Sequence, residues 1–223
     1  MSTKNHSTNG KLRILLVDDH PIVLEGFAEL INGNKEFQVC GTAATTGEAM
    51  DAVAKLKPDL VVADLSLEGG SGLDLIKNLK VLHPLLKVLV LSMHDESLYA
   101  ERALRAGALG YVMKRADSTV VLQAIRTVLD GQVFLSAAMR DRMLQKVVGN
   151  TVRRDATGMA HLSDREMEVF QLIGQGRTTR QIAKQLHISV STVETHRGHL
   201  KEKLNFANST ELMRRAVEWV NAH

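Results

Sequence analysis

The sequence predicts an α/β domain on a doubly wound, five-stranded parallel sheet, followed by a smaller all-α domain of four helices. Three observations lead there. Between residues 11 and 130, short apolar runs alternate five times with amphipathic segments. From His161 onward only helical patterns remain. Between the two stretches, Asp130-Gly131-Gln132 breaks the pattern and a basic segment follows. The chain therefore divides into a domain over 11–130, a linker over 131–160 and a domain over 161–223.

The strands are read from near-continuous apolar runs: Ile14 to Val17, Phe37 to Gly41, Leu60 to Ala63, Val88 to Leu91 and Leu109 to Met113. Such runs fit a parallel sheet covered on both faces. Val23, Phe27, Leu30 and Ile31 recur at helical spacing after the first strand. Later helices are expected over Gly47–Leu56, Leu73–Leu82, Glu96–Ala106 and Ser118–Leu129, the third of these closed by Gly107. Ser136 to Val148 predicts a linker helix, and the polar, basic stretch from Gly149 to Ala160 a tether. Ser163, with Glu166 three residues on, forms a capping box that starts the next helix, which ends near Gly174-Gln175-Gly176. Helices follow over Thr179–Leu186, Ser191–Leu204 and Ser209–Asn221, with His187-Ile188-Ser189 as a tight connection.

A chain of 223 residues has room for two cores, and with few aromatic residues those cores are aliphatic. The single cysteine, Cys40, excludes a disulfide framework and a cysteine metal cluster. No apolar run approaches a membrane span, and the polar residues Met1 to Gly10 lack the apolar centre of a signal peptide, so a cytoplasmic protein is expected. Charge is uneven. Residues 11–135 carry 13 basic and 16 acidic side chains, net −3. Residues 136–160 carry 5 and 2, net +3, and residues 161–223 carry 9 and 7, net +2. An acidic front and a basic back fit a cation site followed by a polyanion-binding module.

Asp18-Asp19, Asp64, Ser92 and Lys114 each follow an apolar run. Ligands of doubly wound sheets bind beyond the strands' carboxyl ends, where these residues gather on one rim. There Asp64 can accept a phosphoryl group as an aspartyl phosphate. Asp18, Asp19 and the backbone carbonyl of Ser66 can hold Mg²⁺, while Lys114 and the Ser92 hydroxyl meet phosphoryl oxygens.

Val17-Asp18-Asp19-His20-Pro21, Asp64 with Gly72 eight residues on, Ser92 and Tyr111-Val112-Met113-Lys114 resemble the receiver domain of bacterial two-component response regulators. The resemblance covers about residues 11 to 130. It implies the CheY-like strand order 2-1-3-4-5 and phosphorylation of Asp64 by a histidine kinase or small phosphodonor. It also implies Mg²⁺ on Asp18, Asp19 and Asp64, and a relay through Ser92 and Tyr111. One position departs from the family: Glu68 stands where the loop usually carries proline.

In the second domain, a short helix, a tight turn and a longer helix predict helix-turn-helix binding of double-stranded DNA. Arg177, Arg180, Lys184, Arg197, Lys201 and Lys203 are the candidate phosphate or base contacts, with Glu194 and Thr195 the better candidates for reading base edges. Thr179, Ser189, Ser191, Thr192 and His196 complete the candidate surface. Leu162 to Glu166, Gly176, Ile182-Ala183, Ile188-Ser189, Thr192-Val193, His196 and Lys203-Leu204 resemble the LuxR-type output domain, and the whole chain the NarL/FixJ class. That resemblance implies a homodimer on DNA, paired through the last helix with its Leu212, Ala216 and Trp219. The expected protein is a phosphorylation-dependent transcription regulator that catalyses only its own phosphorylation and dephosphorylation. Before phosphorylation, its receiver is expected to cover the recognition or dimer surface. A constitutive DNA-binding regulator is the alternative. An aspartyl-phosphate phosphohydrolase fits less well, because Ser66 stands where such an enzyme carries its second acid.

Overall fold

The computed structural model describes residues 10–67, 70–147, 159–186 and 188–222. Glu68, nearly all of the expected tether and His187 lie outside the described residues. Five parallel strands, β1 (Leu12–Val17), β2 (Phe37–Ala43), β3 (Leu60–Ala63), β6 (Lys87–Ser92) and β7 (Gly110–Met113), lie in the order β2-β1-β3-β6-β7. This is the doubly wound order expected. An antiparallel pair of two-residue strands, β4 (Ser66–Leu67) and β5 (Gly70–Ser71), was not foreseen.

Side chains alternate along each strand, so one strand feeds two cores. Leu15, Val17, Val61, Ala63, Val88, Val90 and Tyr111 face α2 (Thr46–Leu56), α3 (Gly72–Leu82) and α4 (Glu96–Ala106). Ile14, Leu16, Leu60, Val62, Leu89, Leu91 and Val112 face α1 (Pro21–Asn32) and α5 (Ser118–Leu129). Both faces are covered, which is why the runs carry no polar alternation. The sheet order reverses at β1, between β2 and β3, so a crevice opens beyond the ends of β1 and β3.

The linker helix α6 runs over Ala137–Val147, and a 3₁₀ turn, Met159–His161, leads into the helical domain. There α7 (Asp164–Gly174) starts on the predicted capping box: Glu166 N–H donates to Ser163 Oγ at 3.3 Å, and Ser163 N–H to Glu166 Oε2 at 2.7 Å. A second box, Thr178 with Gln181, opens α8 (Thr179–Gln185). Ser189 caps α9 (Val190–Leu204), accepting from Thr192 N–H at 3.0 Å. The last helix, α10 (Ser209–Ala222), packs closely on α7. A Cβ on Gly174 would lie 2.4 Å from the Ala216 carbonyl oxygen, so only glycine permits that approach.

That packing gives the apolar stripe of α10 a role within the domain. Leu212 and Ala216 are fully buried, and the Trp219 ring stands edge-on to Phe170 at 5.6 Å between centroids. The apolar stripe seen in the sequence is the stripe that holds the domain together. Leu212 and Ala216 are thereby engaged inside one copy, while Trp219 is half-buried and keeps part of its surface exposed. The exposed apolar residues of α10 are Met213 and Val217, on a different face.

Candidate functional site

Backbone hydrogen bonds set the acid rim. Asp64 N–H donates to the Val17 carbonyl at 2.9 Å, Asp18 N–H to that of Ala43 at 3.0 Å, and Lys114 N–H to that of Ser92 at 2.9 Å. Each functional residue is thus the first step beyond a strand, locked to its neighbour. Asp18, Asp64 and Ser92 are buried and Asp19 is half-buried. Lys114 Nζ bridges the two buried acids, 2.7 Å from Asp64 Oδ2 and 2.5 Å from Asp18 Oδ2, with its side chain 7% exposed. Burial alone would lower the Lys114 pKa, but Asp64 and Asp18 together outweigh it and hold the ammonium charged.

The Asp19 carboxyl is raised above its ordinary range, first by burial and further by Asp18 and Asp64, against the lowering effect of His20. Its buried Oδ1 lies 2.6 Å from His20 Nδ1 but takes no hydrogen bond of acceptable angle. The ligand atoms of Asp18, Asp19 and His20 lie within 4.8 Å of one another. A buried acid oxygen without a donor, beside a second carboxylate, fits a hard cation held by oxygens. Asp64 is not in that closest group; its Oδ2 is engaged by Lys114. Gly72 keeps the loop against the site: a Cβ there would lie 2.2 Å from the Asp64 carbonyl oxygen.

Ser92 and Tyr111, the candidate relay residues, converge on His94, which sequence reasoning missed. Tyr111, buried, donates its hydroxyl to the His94 carbonyl at 2.8 Å, and burial pushes that phenol well above its ordinary pKa. His94 N–H reaches Ser92 Oγ at 3.4 Å. Its Nε2 lies 2.8 Å from Ser66 Oγ. Burial holds the imidazole below its ordinary pKa, and hence neutral.

On the helical domain, Arg180, Lys184, Ser189, Ser191, Thr192, Glu194 and Thr195 are exposed, while Thr179, His196, Arg197 and Lys201 are half-buried. Several are occupied within the domain. The Thr179 hydroxyl donates to Glu194 Oε1 at 2.9 Å, tying α8 to α9. Lys203 donates to buried Glu166 at 2.7 Å, which gives it a structural duty.

Among the described residues, the hydrogen bonds from the first domain to the helical domain run to the 3₁₀ turn and α7 and not to α9, one of the two surfaces it was expected to cover. Arg102 of α4 donates to Asp164 Oδ1 at 2.9 Å, to the Leu162 carbonyl at 2.8 Å and to the Met159 carbonyl at 3.1 Å. Lys77 of α3 reaches Asp164 Oδ2 at 3.0 Å, and the Tyr99 hydroxyl donates to Gln171 Oε1 at 2.8 Å. The contact is therefore with the 3₁₀ turn and α7, and the groove-reading end of α9 stays open to solvent.

Residues 14–126 match the family model described as the response regulator receiver domain, and residues 160–216 the one described as bacterial regulatory proteins, luxR family. The chain is 34% identical over 211 residues to the oxygen regulatory protein NreC of Staphylococcus haemolyticus, covering 93% of this chain and 97% of that protein. The fold is similar to that of the RcsB response regulator of Salmonella typhimurium, at 25% identity and a TM-score of 0.69, over 94% of this chain and 98% of that one. It is also similar to RcsB bound to the promoter rprA in the presence of the phosphomimetic BeF3⁻, at 26% identity and a TM-score of 0.65, over 93% and 99%.

Proposed function

This chain belongs to the two-component response regulators that join a receiver to a LuxR-type DNA-binding domain, and from that premise we propose how its residues share the task. Asp64 is the phosphoacceptor. Its carboxylate oxygen attacks phosphorus, and the bond to the donor, a phosphohistidine of a kinase or a small acyl phosphate, breaks with its electron pair. Lys114 turns from the bare carboxylates to the transferred oxygens. Asp18, Asp19, Asp64 and the Ser66 carbonyl would hold Mg²⁺, which would supply charge neutralisation for the transferring group. The Ser92 hydroxyl follows the phosphoryl group, and Tyr111 follows Ser92. The observation that carries this reading is the buried Lys114 bridge between Asp18 and Asp64, an ammonium placed where phosphoryl charge would develop. The chain acts on no released substrate and works in the cytoplasm; among the described residues no helix is long and apolar enough to cross a membrane.

The division at 11–130, 131–160 and 161–223 separates the phosphoacceptor from the reader. Arg180, Lys184, Ser189, Ser191, Thr192, Glu194, Thr195, Arg197 and Lys201, with Thr179 and His196 behind them, meet double-stranded DNA; Lys203, held by Glu166, is left out of that set. RcsB bound to promoter DNA in the presence of BeF3⁻ supports this assignment. Phosphorylated copies pair as a homodimer through the exposed stripe of α10, Met213 and Val217.

Acetyl phosphate with Mg²⁺ should label the wild-type chain and not Asp64→Asn; label retained by the variant overturns the assignment. Genome-wide occupancy by wild type and Asp64→Ala reads the DNA half. Equal occupancy would favour constitutive binding.

A further inference from the structure

We infer that His94 is a positioning residue that carries the state of Asp64 to the DNA-binding domain, through Tyr99 of α4 to Gln171 of α7. The inference rests on Asp64 being the phosphoacceptor and adds the route by which its state reaches α7. His94 is held on three sides by groups of the phosphoryl site. Its ring nitrogen meets Ser66 Oγ at 2.8 Å, two residues beyond Asp64. Its N–H faces Ser92 Oγ at 3.4 Å, and its carbonyl accepts from Tyr111 at 2.8 Å. The ring face packs on Tyr99 with centroids 4.6 Å apart and planes tilted 30°, and the imidazole also contacts the Gln171 side chain directly, so Tyr99 and His94 meet Gln171 together. Tyr99 is buried, and its hydroxyl crosses to Gln171, also buried, at 2.8 Å.

Each link constrains the next. The Ser92 oxygen accepts from the His94 N–H at 3.4 Å, the long end of a hydrogen bond, so moving the hydroxyl toward a phosphoryl oxygen carries it out of reach. Once Ser92 turns to the phosphoryl group and Tyr111 follows it, His94 loses two of its three holds and its ring shifts on Tyr99. A buried phenol has little tolerance for such a shift, because leaving its hydroxyl unpaired costs more than the hydrogen bond contributes. The Tyr99–Gln171 bond is therefore made when Asp64 is bare and broken when it is modified. Docking of α7 and occupation of Asp64 oppose each other, and the opposition is reciprocal: whatever undocks α7 strengthens binding at Asp64 by the same factor.

The test titrates the full-length chain, in excess Mg²⁺, with beryllofluoride, and follows docking by the radius of gyration in solution scattering. Tyr99→Phe, which removes only the hydroxyl, and Gln171→Ala should each loosen docking and tighten beryllofluoride binding about fivefold. In a His94→Ala background the same substitutions should leave that affinity unchanged, because the link is already cut. Unchanged affinity in a chain that is measurably undocked would overturn the proposal. So would equal tightening with and without His94, which would mean that the coupling bypasses it. Failure of the wild type to bind beryllofluoride at all would overturn the phosphoacceptor reading and this one with it. Binding that is lost only in Asp64→Asn upholds the former and leaves the variants to decide the latter.

Discussion

Lys114 shows how much of a site one side chain can hold together. Its ammonium is the cation that bridges two buried carboxylates, Asp18 and Asp64, whose other oxygens accept from the backbone N–H groups of His20 and Leu65. Lys114→Ala should slow labelling by acetyl phosphate roughly 100-fold, the scale of losing one charge-stabilising donor, while Asp64 remains the residue labelled; initial rates and peptide mapping check both. Gly72 works through space alone. Gly72→Ala drives a methyl against the Asp64 carbonyl and should cost about 1–3 kcal/mol in urea unfolding of the full chain. The acids, Ser92 and Lys114 were legible in the sequence because each directly follows an apolar run, and a strand's end is a predictable place. His94 was not legible. Its contacts come from Tyr99 on a helix and Ser66 on another loop, and no spacing along the chain announces that meeting.

At the scale of elements, periodicity located nearly every helix and strand but not the partner of each face. The stripe of Leu212 and Ala216 marks α10 as amphipathic; only packing shows that this stripe belongs to α7. Leu212→Ala should therefore cost about 2–5 kcal/mol of stability, and Met213→Ala almost none, in parallel denaturant titrations. The two-residue strands β4 and β5 were illegible because pairs so short carry no period. The α7 capping box was read in advance, but its reach was not. Burial would raise the Glu166 pKa, yet Lys203 and Ser163 more than offset this and hold it below its ordinary value of 4.5. A carboxylate whose pKa is depressed by folding stabilises the fold above its unfolded value and loses that contribution as pH falls through its folded value. The helical domain should thus lose stability as pH drops below about 4.5, and Glu166→Gln should flatten that acid limb of the stability curve.

For the whole molecule, the docking of α3 and α4 on the 3₁₀ turn and α7 is the feature that neither domain's sequence contains. Arg102, Lys77 and Asp164 look like ordinary surface charges until the two domains meet. Arg102→Ala removes three bonds across that contact and should enlarge the radius of gyration of the unmodified chain, while each domain keeps its own circular dichroism signature. The exposed end of α9 has a further consequence, for the search along DNA. A docked, unmodified copy still presents its cations, so it can scan the double helix singly, with weak, salt-sensitive, sequence-blind affinity. The signal then need not recruit the protein to the chromosome. On the pairing proposed above, it changes how many scanning copies stop together, and converts a population already in transit into one that waits at particular addresses.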